Sequence, residues 1–135
     1  MGETQIFKSE MRGRVPVTVL KVEGELGQES YEQLQNQARE AYDAGSQNIL
    51  LDLSKVSFMS SSGLRAIHYI FALLRDETPA DGEAAVQKGI AAGTYKSPHL
   101  KLLKPSSRVH QVLKASGFDM FLEIHSDLKK AIASF

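Results

Sequence analysis

The sequence contains no cysteine and no tryptophan, and its 16 basic side chains are balanced by 16 acidic ones. Without cysteine there is no disulfide framework and no thiolate for a metal site. A chain of 135 residues needs neither, because a domain of this size buries about two thirds of the surface its unfolded form exposes. One domain over residues 1–135 is expected, and a multidomain enzyme is excluded. Zero net charge argues against direct binding of nucleic acid, where neutralised phosphates supply most non-specific affinity. The longest unbroken apolar run is Tyr69–Leu74, far short of the roughly 20 residues that span a bilayer. Met1–Glu10 lacks the charged-then-apolar pattern of an export signal. No membrane segment and a cytoplasmic location are therefore expected.

The balanced total conceals an internal polarity. Seven acids (Glu23, Glu25, Glu29, Glu32, Glu40, Asp43, Asp52) and only one base, Arg39, lie between Glu23 and Asp52. Six bases (Lys88, Lys96, Lys101, Lys104, Arg108, Lys114) and no acid lie between Ala84 and Phe118. Such runs are either two solvated faces or a bipolar surface that steers a partner.

Apolar residues fall in short bursts between turn residues. Ile6–Met11 and Val15–Val22, joined through Arg12-Gly13-Arg14, read as a strand hairpin, with Pro16 at a strand start or edge. Beyond Gly24 and Gly27 the period changes to helical: Tyr31, Leu34, Ala38, Ala41 and Tyr42 share a face, Ser30 and Gln33 stand in capping-box register, and Gly45 is the stop. Ile49–Leu53 suits a central strand covered on both faces, followed by a turn over Ser54–Phe58. Leu64, Ile67, Phe71 and Leu74, widened by Ile70 and Leu73, predict a second helix. An extended connecting segment at about 77–99 breaks the rhythm with Pro79, Gly82, Gly89, Gly93 and Pro98, although Ala84–Ala92 could form a helical turn or two. A strand at Leu100–Leu103 and a helix opened by Pro105, Ser106 and Ser107 follow; Val109, Val112 and Leu113 face inward before Gly117. A last strand at Phe121–Ile124 leads to a final helix capped by Ser126 and carrying Leu128, Ala131, Ile132 and Phe135. Strands alternating with about four α-helices imply an α/β fold whose sheet is mostly parallel, made mixed by the opening β-hairpin.

Most catalytic signatures are missing. His68, His99, His110 and His125 form no HExxH motif, and there is no GxxxxGK[ST] or GxGxxG phosphate loop and no GxSxG elbow. No catalytic residue, metal or cofactor is assigned, and a nucleotide-processing enzyme has no support. What remains is Ile49-Leu-Leu-Asp-Leu-Ser-Lys-Val-Ser-Phe-Met-Ser-Ser-Ser-Gly-Leu64, a buried strand entering a helix through three serines. A helix start carries unsatisfied N–H groups and partial positive charge. A serine there is an N-cap or, alternatively, a place where an attached phosphate is electrostatically favoured.

The turn Asp52-Leu-Ser-x-Val-x-Phe-Met59 and the helix entry Ser61-Ser-Gly-Leu64 resemble the STAS domains, and within them the small bacterial anti-sigma factor antagonists. Gly24-Glu25-Leu26, Pro105-Ser106 with Val109, and Ala115-Ser116-Gly117-Phe118 extend the resemblance over about Ile6 to Phe135, leaving out the 78–98 region. The resemblance implies a non-enzymatic STAS-like fold that binds an anti-sigma factor with serine kinase activity. Phosphorylation of a serine ends that binding, and a serine phosphatase restores it. The acceptor it implies is Ser61, with Ser62 and Ser60 as alternates. The partner surface it implies comprises Gly24, Glu25, Gly27, Ser60, Ser61, Ser62, Gly63 and Arg65, on a monomer or weak dimer. Two carboxylates usual in the family are absent: Gly27 stands where Gly-Glu-Leu-Asp has its aspartate, and Ser60 where Asp-Ser-Ser-Gly has its own. The long 77–99 connection is a third departure, expected to be a surface insertion. The alternative reading is a scaffold or ligand-sensing STAS domain released from kinase control.

Overall fold

A computed structural model describes residues 4–75, 88–90 and 95–135. Two strands, β1 (Gln5–Arg12) and β2 (Pro16–Leu26), form an antiparallel hairpin in the register Gln5↔Glu23 to Arg12↔Pro16. Then come α1 (Tyr31–Asp43), β3 (Ile49–Met59), α2 (Ser61–Leu74), β4 (Leu100–Leu103), α3 (Ser107–Ala115), a 3-10 turn at Phe118–Met120, β5 (Glu123–His125) and α4 (Leu128–Ala133). The sheet order is β1-β2-β3-β4-β5, and every pair after the hairpin is parallel. This is the expected mixed, mostly parallel α/β architecture.

The strand order dictates where the helices go. Each crossover moves one strand further in the same direction, so crossovers of one hand lay α1, α2 and α3 on the same face. There Leu20, Val22, Leu26, Leu34, Ala38, Leu51, Ile67, Ile70, Leu100, Leu102, Val109 and Leu113 form the main core. The opposite face would stand bare at its lower half. The short amphipathic α4 covers it, packing Ala131 and Ile132 on Val17, Val19, Leu50 and Leu103. Lys101 shares that face and is only 3% exposed. Its Nζ donates to the Ser134 carbonyl and Oγ at the end of α4, pairs with Glu123 at 3.3 Å and lies over the Phe135 ring. A buried ammonium is tolerated because its donors are occupied in this way.

Several boundaries differ from those expected, each for a local reason. β3 runs unbroken to Met59, so Ser54–Phe58 is strand and not turn. The β2–β3 register slips between Lys21 and Glu23 and again between Gly24 and Glu25, with the extra residue on β3 each time. Each bulge shifts side-chain parity by one, so the inward positions run Ile49, Leu51, Leu53, then Val56, then Met59. A lost alternation of this kind mimics a turn. β2 continues past Val22 to Leu26, with Gly24 at a φ of +117°. Ser30 does not cap α1: its buried hydroxyl donates to the Glu25 carbonyl and accepts from the Gly27 N–H, holding the β2–α1 loop instead. Tyr42 faces solvent. The last strand starts at Glu123 because Phe118–Met120 takes a 3-10 turn, and Asp127, not Ser126, caps α4 by accepting from the Lys130 N–H. Of the Ala84–Ala92 stretch, residues 88–90 are helical and the remainder lies outside the described residues, as does most of the 77–99 connection.

Candidate phosphorylation and partner-binding site

The three serines are adjacent in sequence but differ in chemistry. Ser60 is the N-cap of α2, with extended backbone and an Oγ accepting from the Ser62 N–H at 3.2 Å. Its own N–H donates to the Leu26 carbonyl, tying the helix start to the end of β2. Ser62 is 7% exposed, and its hydroxyl donates to Gln28 Oε1 at 2.8 Å. Ser61, the first residue of the helix, is exposed, and its hydroxyl has no hydrogen-bond partner among the described residues. It sits at the positive end of a 14-residue helix, where a phosphate is electrostatically favoured. Arg65, four residues on and exposed, shares the helix face of Ser61.

Gly63 explains how the helix start lies so close to the sheet. A Cβ there would come within 2.4 Å of the Leu26 carbonyl oxygen and 2.9 Å of Met59 Cγ. A side chain of any size would lift α2 off β2. Gly27 faces the same corner, where a Cβ would lie 3.1 Å from Ser60 Oγ. The two positions at which the family's carboxylates are missing are therefore neighbours in space. Glu25 is exposed; its carbonyl holds Thr4 Oγ1 and Ser30 Oγ, and its register partner is Phe58. Gly24, Glu25, Gly27, Ser60, Ser61, Ser62, Gly63 and Arg65 thus cluster where the ends of β2 and β3 meet the start of α2.

Two further residues belong to this corner. Phe58 is 44% exposed, a large apolar side chain three positions before Ser61. Reading Ser54–Phe58 as a turn concealed it, whereas strand alternation with Met59 inward would have turned it outward. Gln28 carried no signal at all, since its role depends on a hydrogen bond to a residue 34 positions away.

Among the described residues no group of three His, Asp or Glu side chains could hold a metal ion. Asp52 is half-buried and accepts from the N–H and hydroxyl of Ser54 at the first bulge. Two open surface cavities, of about 320 and 400 Å³, lie around Thr18 and Ser46 and around His110 and His125. Neither includes the serines. No helix among the described residues is long and apolar enough to cross a membrane.

A single-faced set of crossover helices on a five-stranded mixed sheet, with a glycine-seated helix start exposing one serine, defines a SpoIIAA-like α/β domain. A sequence model of the STAS domain matches residues 8–78, more than half of the chain, and the chain belongs to the STAS domain family. An anti-sigma factor antagonist from Mycobacterium paratuberculosis superposes with a TM-score of 0.73 over 98% of this chain and 93% of that one, at 16% identity. The anti-sigma factor antagonist SpoIIAA in its unphosphorylated form gives 0.66 over 96% and 93%, at 23% identity. SpoIIAA of Bacillus in its phosphorylated form gives 0.61 over 95% and 96%, at 19% identity. At these identities the likeness establishes the shared fold. No curated protein sequence matches the chain.

Proposed function

We propose that this chain is a non-catalytic anti-sigma factor antagonist that binds an anti-sigma factor with serine kinase activity and is released when Ser61 is phosphorylated. A serine phosphatase resets it. One observation carries the reading: of three consecutive serines at the start of α2, only Ser61 is exposed with a hydroxyl that has no hydrogen-bond partner among the described residues. Support comes from SpoIIAA, an anti-sigma factor antagonist of the same fold that exists in unphosphorylated and phosphorylated forms. A phosphate adds about −1.5 to −2 charges. Its own helix start favours it, but a protein packed on the corner that carries Ser61 must desolvate it. The neutral hydroxyl carries no such cost. The chain acts as a monomer or weak dimer in the cytoplasm, as a single domain over residues 1–135.

The test is capture of the partner from native lysate on immobilised wild type, Ser61→Ala and Ser61→Asp. Wild type and Ser61→Ala capture the same kinase-bearing protein, and Ser61→Asp loses it by at least tenfold. Equal capture by Ser61→Asp would remove the switch. A second reading, a scaffold or ligand-sensing domain without kinase control, is favoured by the proximity of Gly27 and Ser60, which leaves one corner without both family carboxylates. It predicts no phosphate on Ser60–Ser62 in chain isolated from native cells.

A further inference from the structure

The neighbouring candidate acceptors Ser61 and Ser62 have identical side chains, so the side chain itself gives a kinase no means of choosing between them. Their surroundings do. Ser62 is 93% buried, and its hydroxyl proton is committed to Gln28 Oε1 at 2.8 Å. Gln28 itself is exposed and stands in the β2–α1 loop, whose shape is fixed independently by the Ser30 bonds to Glu25 and Gly27. The loop therefore holds an acceptor in place over Ser62 without depending on it.

We infer that Gln28 is a specificity-determining residue: by holding the Ser62 hydroxyl it makes Ser61 the acceptor. The inference rests on the proposed function. In the transfer, the serine oxygen bonds to the γ-phosphorus of ATP, the bond to the bridging oxygen breaks, ADP leaves, and the hydroxyl proton passes to the kinase's base. A hydroxyl whose proton is held by an amide oxygen, and whose oxygen is turned into the protein, cannot meet that geometry until the bond opens. A neutral hydrogen bond shifts such an equilibrium by about two- to tenfold. The steric shelter given by the loop adds to it.

The full chain is incubated with native-cell lysate and labelled ATP, and the phosphosites are mapped by mass spectrometry. Wild type carries phosphate on Ser61, and Ser61→Ala carries none. Gln28→Ala raises the share of label on Ser62 at least fivefold, and the double variant Ser61→Ala with Gln28→Ala regains label on Ser62. Gln28→Glu, whose carboxylate can still accept the Ser62 proton, behaves as wild type. A kinase-independent reading accompanies this: the Ser62 hydroxyl proton exchanges slowly by NMR in wild type and Gln28→Glu and fast in Gln28→Ala. If wild type is labelled on Ser61 while the double variant stays silent, or if hydroxyl exchange ignores Gln28, the selector role is overturned and the switch survives. Absence of label from Ser60–Ser62 in every variant overturns both.

Discussion

At the residue scale, the site depends on one glycine and one cap. A methyl group on Gly63 meets a backbone carbonyl, that of Leu26, at 2.4 Å. A backbone oxygen in a paired strand cannot rotate away as a side chain can. Overpacking of this kind costs about 1–3 kcal/mol, against the roughly 1 kcal/mol by which alanine favours a helix interior over glycine. Gly63→Ala is therefore expected to lower stability by up to about 2 kcal/mol, read as a fall in the urea midpoint without a change in slope. Ser60→Ala removes the acceptor for the Ser62 N–H and should cost about 1 kcal/mol. Ser60→Asp keeps the cap and adds an anion at the positive helix end, so its stability should equal or exceed wild type by up to about 1 kcal/mol. A loss on Ser60→Asp would mean that the corner shared with Gly27 rejects a carboxylate. The sequence was legible here to the extent that chemistry is local: a triple serine before a glycine announces a helix start. Which serine is free was not legible, because Gln28 engages Ser62 and Leu26 engages Ser60 through tertiary contacts.

At the element scale, what the sequence revealed followed periodicity, and what it hid followed its interruption. α2 was readable from Ile67, Ile70, Phe71 and Leu74 because a helix repeats its inward positions without slips. β3 was half readable, because two bulges displace its inward set after Leu53 and again after Val56. α4 was readable as an amphipathic turn, but its capping residue and its anchor were not. Lys101 looks like one of six basic surface residues in the sequence, yet it is buried and clasps the end of α4. Removing it leaves the Ser134 carbonyl without its donor, Glu123 with His125 alone among the described residues and Phe135 without a covering stem. Lys101→Ala is expected to destabilise the domain by about 2–4 kcal/mol. The loss should concentrate in α4, whose amides should exchange hydrogen far faster than those of β3, a local opening ahead of global unfolding. Uniform acceleration across all strands would mean that α4 and the sheet open as one unit.

At the scale of the whole molecule, a mixed, mostly parallel sheet was legible because strands alternate with helices after an opening hairpin; the strand order is set by the structure. The placement of α1, α2 and α3 on one face and α4 on the other follows from it. The charge polarity is reshaped by the fold. All of Glu25, Glu29, Glu32, Glu40 and Asp43 are exposed, and two of them, Glu25 and Glu29, flank the loop that carries Gln28. Of the six bases, Lys101 is withdrawn into the core, while Lys88, Lys96, Lys104, Arg108 and Lys114 remain at the surface. A partner approaching the Ser61 corner therefore meets an acidic flank, which favours an encounter surface of opposite sign. Steering by such a field raises association rates well above the roughly 10⁵–10⁶ M⁻¹s⁻¹ of neutral surfaces and fades as salt shortens the screening length to about 8 Å at physiological strength and about 3 Å at 1 M. The association rate of the captured partner should fall at least tenfold between about 0.05 and 0.5 M salt, measured by stopped flow, while its dissociation rate changes far less. Glu25→Gln with Glu29→Gln should flatten that slope and leave wild-type stability within about 0.5 kcal/mol, as expected of exposed charges. A salt-independent rate would reduce the acidic flank to a solvated face and leave docking to Phe58 and the uncharged hydroxyl of Ser61.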